Sequence, residues 1–419
     1  MKQILFVHQN FPGQYRYIAR YFAAHSQWQA YAIGEKSNVT RQLAYIPKQG
    51  ICLLGYEMPA NPAAEEGLAS EFESSLIRAQ AVAALALRQQ KNGLDPDIIC
   101  SHPGWGDSLY LKEVFPRAKF LSYFEFYHSP DAPLVNFDAE FPTALGGKMS
   151  LRTKNATNLL SLDMADLGVC PTRWQWSTFP DVFKEKIQVV HDGVDTELLA
   201  PKAGVKLKID TLGSESVTLS EDDEVITYSV RNLEPSRGFH VFMRALPLLQ
   251  KLRPRAITLV VGGDEVSYGK PHPSGKCWRE VLLEEVKDEL DLSRVIFVGK
   301  LPYATLLNLF RISSLHIYLT TPFVLSWSML EAMACGAPVL ASATPPVTEV
   351  IEDGVNGVLF DYHNGGELVA KADELLSQPQ LRKKIGAQGR QTIVDNYDLK
   401  SRVLPAHIQL IKSVLAEEQ

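Results

Sequence analysis

Apolar runs of strand length recur along the chain and are separated by longer stretches with helical spacing. In the first half the runs are ILFVH (4–8), AYAIG (30–34), DIICSH (97–102), KFLSYF (119–124), LGVCPT (167–172) and KIQVVH (186–191), with helices expected over about 14–24 and 71–90. The second half repeats the scheme with VITYSV (225–230), ITLVVGG (257–263), VIFVGK (295–300), SLHIYL (314–319), PVLAS (338–342) and GVLF (357–360). Its helices are expected over about 239–252, 279–290 and from 368 onward. Strands alternating with helices predict parallel βα units, so each half reads as an open α/β sheet, doubly wound and Rossmann-like. The segment HDGVDTELLAP (191–201) closes the first half. The polar stretch 202–224 that follows reads as a linker, which places a domain boundary at 201/202. Ligands of such sheets bind outside the carboxyl ends of the strands, and two of them facing one another would form a deep cleft.

Composition narrows the classes. The 419 residues are 46% hydrophobic and 21% charged, enough for two cores. Basic and acidic residues number 18 and 21 up to residue 200 and 24 and 27 beyond it, so neither half carries the electrostatic footprint of a nucleic-acid binder. No signal-peptide pattern opens the chain and no apolar stretch reaches the ~20 residues of a membrane span. The expected location is the cytoplasm, and a modest patch for peripheral attachment to the inner membrane face is compatible with the sequence. Cys52, Cys100, Cys170, Cys277 and Cys335 are scattered, without CxxC pairs or zinc spacing, and read as buried thiols of a reducing compartment. No metal site is expected. Asp95-Pro96-Asp97 has the form of a metal-holding Asp-x-Asp loop, but it precedes a strand and reads as a turn at the wrong end of the sheet. A GxGxxG dinucleotide loop, a Walker loop and a GxSxG elbow are missing from the sequence.

Two segments carry candidate chemistry. In TTPFVLSWSMLEAMACGAPVLAS (320–342), Ser326 or Ser328 can cap a helix that Gly336 stops, and the free N–H groups of that helix start suit a diphosphate. Glu331 stands three residues after Ser328. It is either the second half of a capping box or a carboxylate that accepts two vicinal ribose hydroxyls. In YSVRNLEPSRGF (228–239), Arg231 leaves a strand end and Arg237 precedes a helix. The pair is either two solvated loop arginines or a device that neutralises a departing diphosphate with forked hydrogen bonds.

Read together, FPG (11–13), ADLGVCPTRWQWSTF, KIQVVHDGVDTELLAP, YSVRNLEPSRGF, LVVGGDE, VIFVGKLPYATLLNLF and LEAMACGAPVLAS resemble, in order and spacing, the retaining family-4 glycosyltransferases of GT-B fold across nearly the whole chain. The resemblance implies an acceptor domain (1–201), a nucleotide-sugar domain (202–395) and a terminal helix (396–419) crossing back to the first. It implies that Glu331 holds the donor ribose and Arg231 the diphosphate, with Arg237 where the family usually has lysine, a planar fork replacing a point charge. Gly13 resembles the glycine that lets backbone approach the substrates. Ser326 stands where a small glycine is usual, followed by Trp327, and Ser328 and Leu330 complete the donor-binding set. Phe323 occupies the place of a glutamate that contacts the donor sugar. Strand register puts Glu125 where the family carries a histidine near the transferred sugar, with His128 competing for that role and His102 either structural or acceptor-facing. The implied activity is transfer of a sugar, with retention, from a UDP-sugar or alternatively a GDP-sugar to a glycan, lipid-linked or small-molecule hydroxyl, with no cofactor and no metal. A sugar-nucleotide epimerase and a non-enzymatic sugar-nucleotide-binding scaffold are the competing readings.

Overall fold

The computed structural model describes residues 1–58, 67–210 and 216–416. The chain packs as two compact units, Met1–Asp192 together with Lys400–Gln419, and Gly193–Leu399.

The first unit is built on seven parallel strands, β1 (Lys2–Val7), β2 (Trp28–Glu35), β3 (Ile51–Tyr56), β4 (Ile98–Ser101), β5 (Lys119–Tyr123), β6 (Leu167–Cys170) and β7 (Ile187–Val189), in the order β3-β2-β1-β4-β5-β6-β7. The unbroken apolar run of β1 has a simple cause. Ile4 and Phe6 point into one core and Leu5 and Val7 into the other, so both faces of the strand are buried. The edge strand β3, which no expectation included, is mostly half-buried and lacks that signature.

A two-stranded antiparallel ribbon, β8 (Lys206–Asp210) and β9 (Ser216–Ser220), opens the second unit. The stretch expected to be a linker is therefore partly sheet, and residues 211–215 lie outside the described residues. Leu207, Ile209 and Leu219 alternate with polar neighbours and bury themselves in the second core, which holds the ribbon in place. The main sheet, also parallel, comprises β10 (Val225–Asn232), β11 (Ile257–Gly263), β12 (Val295–Gly299), β13 (Leu315–Tyr318), β14 (Val339–Ser342) and β15 (Val358–Phe360), in the order β12-β11-β10-β13-β14-β15. In both sheets the order reverses beside the first strand, between β1 and β4 and between β10 and β13. That reversal opens a crevice at the strands' carboxyl ends, where such folds take ligands.

The division between the units falls at 192/193, ahead of the expected 201, because Val194 and Leu199 pack in the second core and Val194 pairs with Asp398. The chain rejoins the first unit at Lys400. Helix Leu404–Val414 then buries Ile411 and Val414 in the core that holds Ile4 and Phe6. No helix among the described residues is long and apolar enough to cross a membrane.

Gly238 joins the turn Pro235–Arg237 to helix Phe239–Leu252 at a φ of +67°. A Cβ there would lie 2.4 Å from the Leu319 Cβ. Gly238→Ala thus combines backbone strain with overpacking and is expected to cost about 2 to 4 kcal/mol, read as a lower urea midpoint at unchanged slope.

Candidate active site

In the second unit the carboxyl end of β10 carries both arginines. Arg231 is exposed, and its guanidinium makes no hydrogen bond or ion pair among the described residues. Arg237 differs. It ends the turn Pro235–Arg237 with only 6% of its surface exposed, and its Nη1 donates to Thr320 Oγ1 and to the Val324 carbonyl, both at 2.8 Å. The Tyr268 ring lies across it, with its centroid 5.2 Å from Cζ. No carboxylate among the described residues pairs with it. Glu234, three positions earlier, is instead occupied by the backbone N–H groups of Ser267, Tyr268 and Gly269. A buried cation without a counter-charge costs several kcal/mol. The reading of solvated loop arginines is thereby overturned for Arg237, and Arg231 keeps its charge in solvent.

Helix Trp327–Ala334 follows β13 at the same reversal. Its cap is Ser326, whose Oγ accepts from the Ser328 N–H at 3.4 Å and whose own N–H donates to the Tyr318 hydroxyl at 2.9 Å. Ser328 ties the helix start to β10 by donating to the Ser229 carbonyl at 3.2 Å. The capping-box alternative for Glu331 fails on this geometry. Ser328 lies inside the helix, which is capped by Ser326, too far from Glu331 for a box, and Glu331 Oε1 accepts from the Tyr303 hydroxyl at 2.8 Å. The Leu330 side chain is buried in the second core, with 1% exposure. Trp327 stands 47% exposed at the helix start, and Phe323 packs edge-on against Tyr268 with centroids 5.1 Å apart. Tyr268, Tyr303 and Glu234 escaped the sequence reading. Only their places after β11, after β12 and between the two arginines could have drawn attention to them.

Gly13, Glu125, His128 and His102 belong to the first unit. Gly13 has a φ of +43°, and a Cβ on it would lie 2.5 Å from His8 Nε2, so its Cα rests on an imidazole. His8 ends β1's apolar run. Its Nδ1 accepts the Asn10 N–H and its Nε2 meets Gln14 Oε1, both at 2.9 Å. His102 is sealed in a ring stack between Trp105 and Tyr123, with centroids 4.4 and 5.2 Å away, which favours the structural reading of it. Burial lowers the His8 pKa to about 4 and that of His102 well below the usual range, so both rings are neutral near pH 7. Glu125 and His128 lie in the loop after β5. Gln175 donates to the Glu125 carbonyl at 2.8 Å, and Asn155 grips both the N–H and the carbonyl of His128. Burial, helped by Lys154, brings the His128 pKa down to about 4, leaving a neutral imidazole near pH 7 that is a weak base.

Asp95 and Asp97 sit at the amino end of β4. Asp95 pairs with Arg117, and Asp97 Oδ2 accepts the Gln3 N–H at 2.6 Å. This is the turn reading of that motif. Cys100, Cys170 and Cys335 are buried, whereas Cys52 is exposed and Cys277 half-buried at a helix start, which corrects the expectation of five buried thiols.

Two family models match the chain in tandem, "Glycosyl transferase family 4 group" over residues 26–199 and "Glycosyl transferases group 1" over 214–392. The chain belongs to the family-4 glycosyltransferases. Curated relatives include the D-inositol 3-phosphate glycosyltransferases of Thermobifida fusca (27% identical, 44% of this chain and 43% of that protein) and Mycobacterium marinum (28%, 49% and 39%). The matched region thus spans less than half the length of these relatives. Among solved structures, sucrose-phosphate synthase from Thermosynechococcus elongatus superposes with a TM-score of 0.73 at 16% identity, covering all of both chains. Anabaena HepE in complex with UDP gives 0.66 at 16% identity, again over the whole of both chains. At these identities the likeness is one of fold, and that fold is GT-B.

Proposed function

We propose that this family-4 chain transfers a sugar from a nucleoside diphosphate donor, a UDP-sugar before a GDP-sugar, to a hydroxyl acceptor with retention of anomeric configuration. The observation that carries the reading is the buried, uncompensated guanidinium of Arg237 beside a capped helix start at the β10/β13 reversal. A diphosphate supplies the missing negative charge. Arg231, exposed at the same strand end, adds a second fork as charge grows on the leaving oxygen. Glu331, already oriented by Tyr303, accepts the ribose hydroxyls.

In the transfer, the acceptor oxygen bonds to the anomeric carbon from the face that the diphosphate leaves. The anomeric C–O bond breaks toward the phosphate, and the acceptor proton passes to a phosphate oxygen of the leaving group. No protein nucleophile, metal or cofactor enters that balance, so rate comes from positioning and electrostatics. Glu125 or the neutral His128 of the first unit hydrogen-bonds a sugar hydroxyl or assists the proton's passage. The names of the relatives favour a small polyol phosphate among the acceptor classes, and HepE's complex with UDP supports the choice of base. A cytoplasmic enzyme with peripheral contact to the membrane face is the setting we infer.

Calorimetric titration with UDP, GDP and ADP and their sugars tests the reading. UDP is expected to bind, with Glu331→Ala weakening it about ten- to a hundredfold, the value of one or two hydrogen bonds to a charged group. Arg231→Ala is expected to weaken it about three- to tenfold, because its fork is screened by solvent. Absence of binding by all three nucleotides, or wild-type affinity in both variants, rules the site out.

A further inference from the structure

Between Arg231 and Arg237 the chain intersperses the two cations with residues that grip a neighbouring loop. The Glu234 side chain is 1% exposed and has no cationic partner among the described residues. Its Oε2 accepts the Gly269 N–H at 2.9 Å, the Tyr268 N–H at 3.2 Å and the Ser267 N–H at 3.3 Å. Asn232 reinforces the grip. With its amide turned to satisfy both ends, Nδ2 donates to Glu265 Oε2 at 2.8 Å and Oδ1 accepts from Ser267 Oγ at 2.7 Å. Apart from the Arg231 carbonyl, to which the turned Asn232 amide also donates, everything gripped belongs to the turn after β11, and that turn brings the Tyr268 ring, 44% exposed, to the Arg237 guanidinium and against Phe323.

A buried carboxyl group is an expensive way to fasten a loop unless the fastening must be exact, because its desolvation has to be offset by N–H groups that converge on it. The geometry of Arg237 shows what the exactness serves. Nη1 is held by Thr320 and Val324, Cζ stands over the Tyr268 ring 5.2 Å from its centroid, and Nε and Nη2 make no hydrogen bond among the described residues. A ring over one face excludes water from it and confines the fork to one plane, so the unused edge keeps a single direction.

We propose that Glu234 is a positioning residue of the diphosphate site and acts through Tyr268: it pins the turn 267–269 so that the phenol ring holds the Arg237 fork in its anion-receiving orientation. The proposal rests on the reading of this site as a nucleoside diphosphate site. Neither Glu234 nor its carboxylate touches the ligand, so its removal changes affinity only by way of the ring.

UDP and GDP are titrated in parallel into the full chain, E234Q, Y268A, the E234Q/Y268A double variant and R237M, with a thermal melt of each. The expected result is an approximately tenfold weaker affinity in E234Q and in Y268A, and a double variant no weaker than the weaker of the two. A purely structural role for Glu234 would lower the melting temperature but leave the two losses to multiply, and multiplied losses overturn the proposal. Wild-type affinity in Y268A beside a large loss in R237M also overturns it, and leaves the functional reading standing. If E234Q fails to fold, Y268A decides alone, since its ring is at the surface. Failure of the wild-type chain to bind either nucleotide overturns the functional reading first and this inference with it.

Discussion

Arg237→Met is expected to weaken UDP binding by a hundredfold or more while moving the melting temperature of the unliganded chain by no more than about 3 °C. The two effects separate because they draw on different states. In the free protein the substitution removes two hydrogen bonds from a charged group, to Thr320 and Val324, worth about 1.5 to 3 kcal/mol each, but it also relieves the several-kcal/mol desolvation of a buried charge that no carboxylate among the described residues pairs with. A flexible apolar chain of similar length fills the space under Tyr268. In the nucleotide complex the same substitution leaves a diphosphate facing a buried apolar group, and losses for truncating one partner of a buried charge pair run to about 2–5 kcal/mol. Calorimetry of binding and differential scanning of the free chain measure the two terms. A variant that melts far below the wild type would mean Arg237 serves chiefly to hold the 320–324 loop. R237K, which restores the charge without the fork, is expected to recover only part of the affinity.

Acid is expected to unfold the chain steeply between pH 6.5 and 5. Burial lowers the pKa of His8, His128, His191 and His407 to about 4, that of His316 to about 3, and that of His102 well below the usual range. In the unfolded chain all six titrate near the ordinary value of about 6.5. The unfolded state therefore binds more protons than the folded one throughout this window. The stability these rings contribute is complete above about pH 6.5 and is lost as pH falls toward their folded values. Each ring contributes at most about 1.4 kcal/mol per pH unit, and six acting together reach about 8, comparable with the whole stability of a typical domain. Asp107 opposes them: burial raises its pKa to about 7, so it is better tolerated in acid. One carboxyl against six imidazoles does not change the sign. Urea midpoints measured at half-unit pH steps check this, and a flat profile from pH 7 to 5 would show that these rings are hydrated in solution.

What the sequence disclosed follows from which forces are local. Strands buried on both faces had to be apolar throughout, so β1, β4 and β10 announce themselves, and helix 239–252 was expected at its observed limits. Half-buried β3 and the ribbon of β8 and β9 did not stand out, because Leu207, Ile209 and Leu219 are spaced by polar residues within an otherwise polar stretch. At the site, a strand-end arginine and a serine-capped helix start are sequence-local features and were legible. The burial of Arg237 was not, since it is made by Tyr268 and Val324, far along the chain. The surroundings of Glu331 were hidden for the same reason: the hydroxyl that donates to its carboxylate comes from Tyr303, after another strand. Conversely, the place of Asp95 and Asp97 was readable, because a turn that leads into a strand can only lie at that strand's amino end.

The helix carrying Ile411 and Val414 has a bearing on biosynthesis. Residues 193–399 leave the ribosome as a complete folding unit, whereas the unit begun by Met1 must wait for a segment translated after them before its hydrophobic interior can close. The unit that holds 1–192 thus closes only after residues 193–399 have been translated. Until then the apolar surface beside Ile4 and Phe6 lacks the cover that Ile411 and Val414 give it.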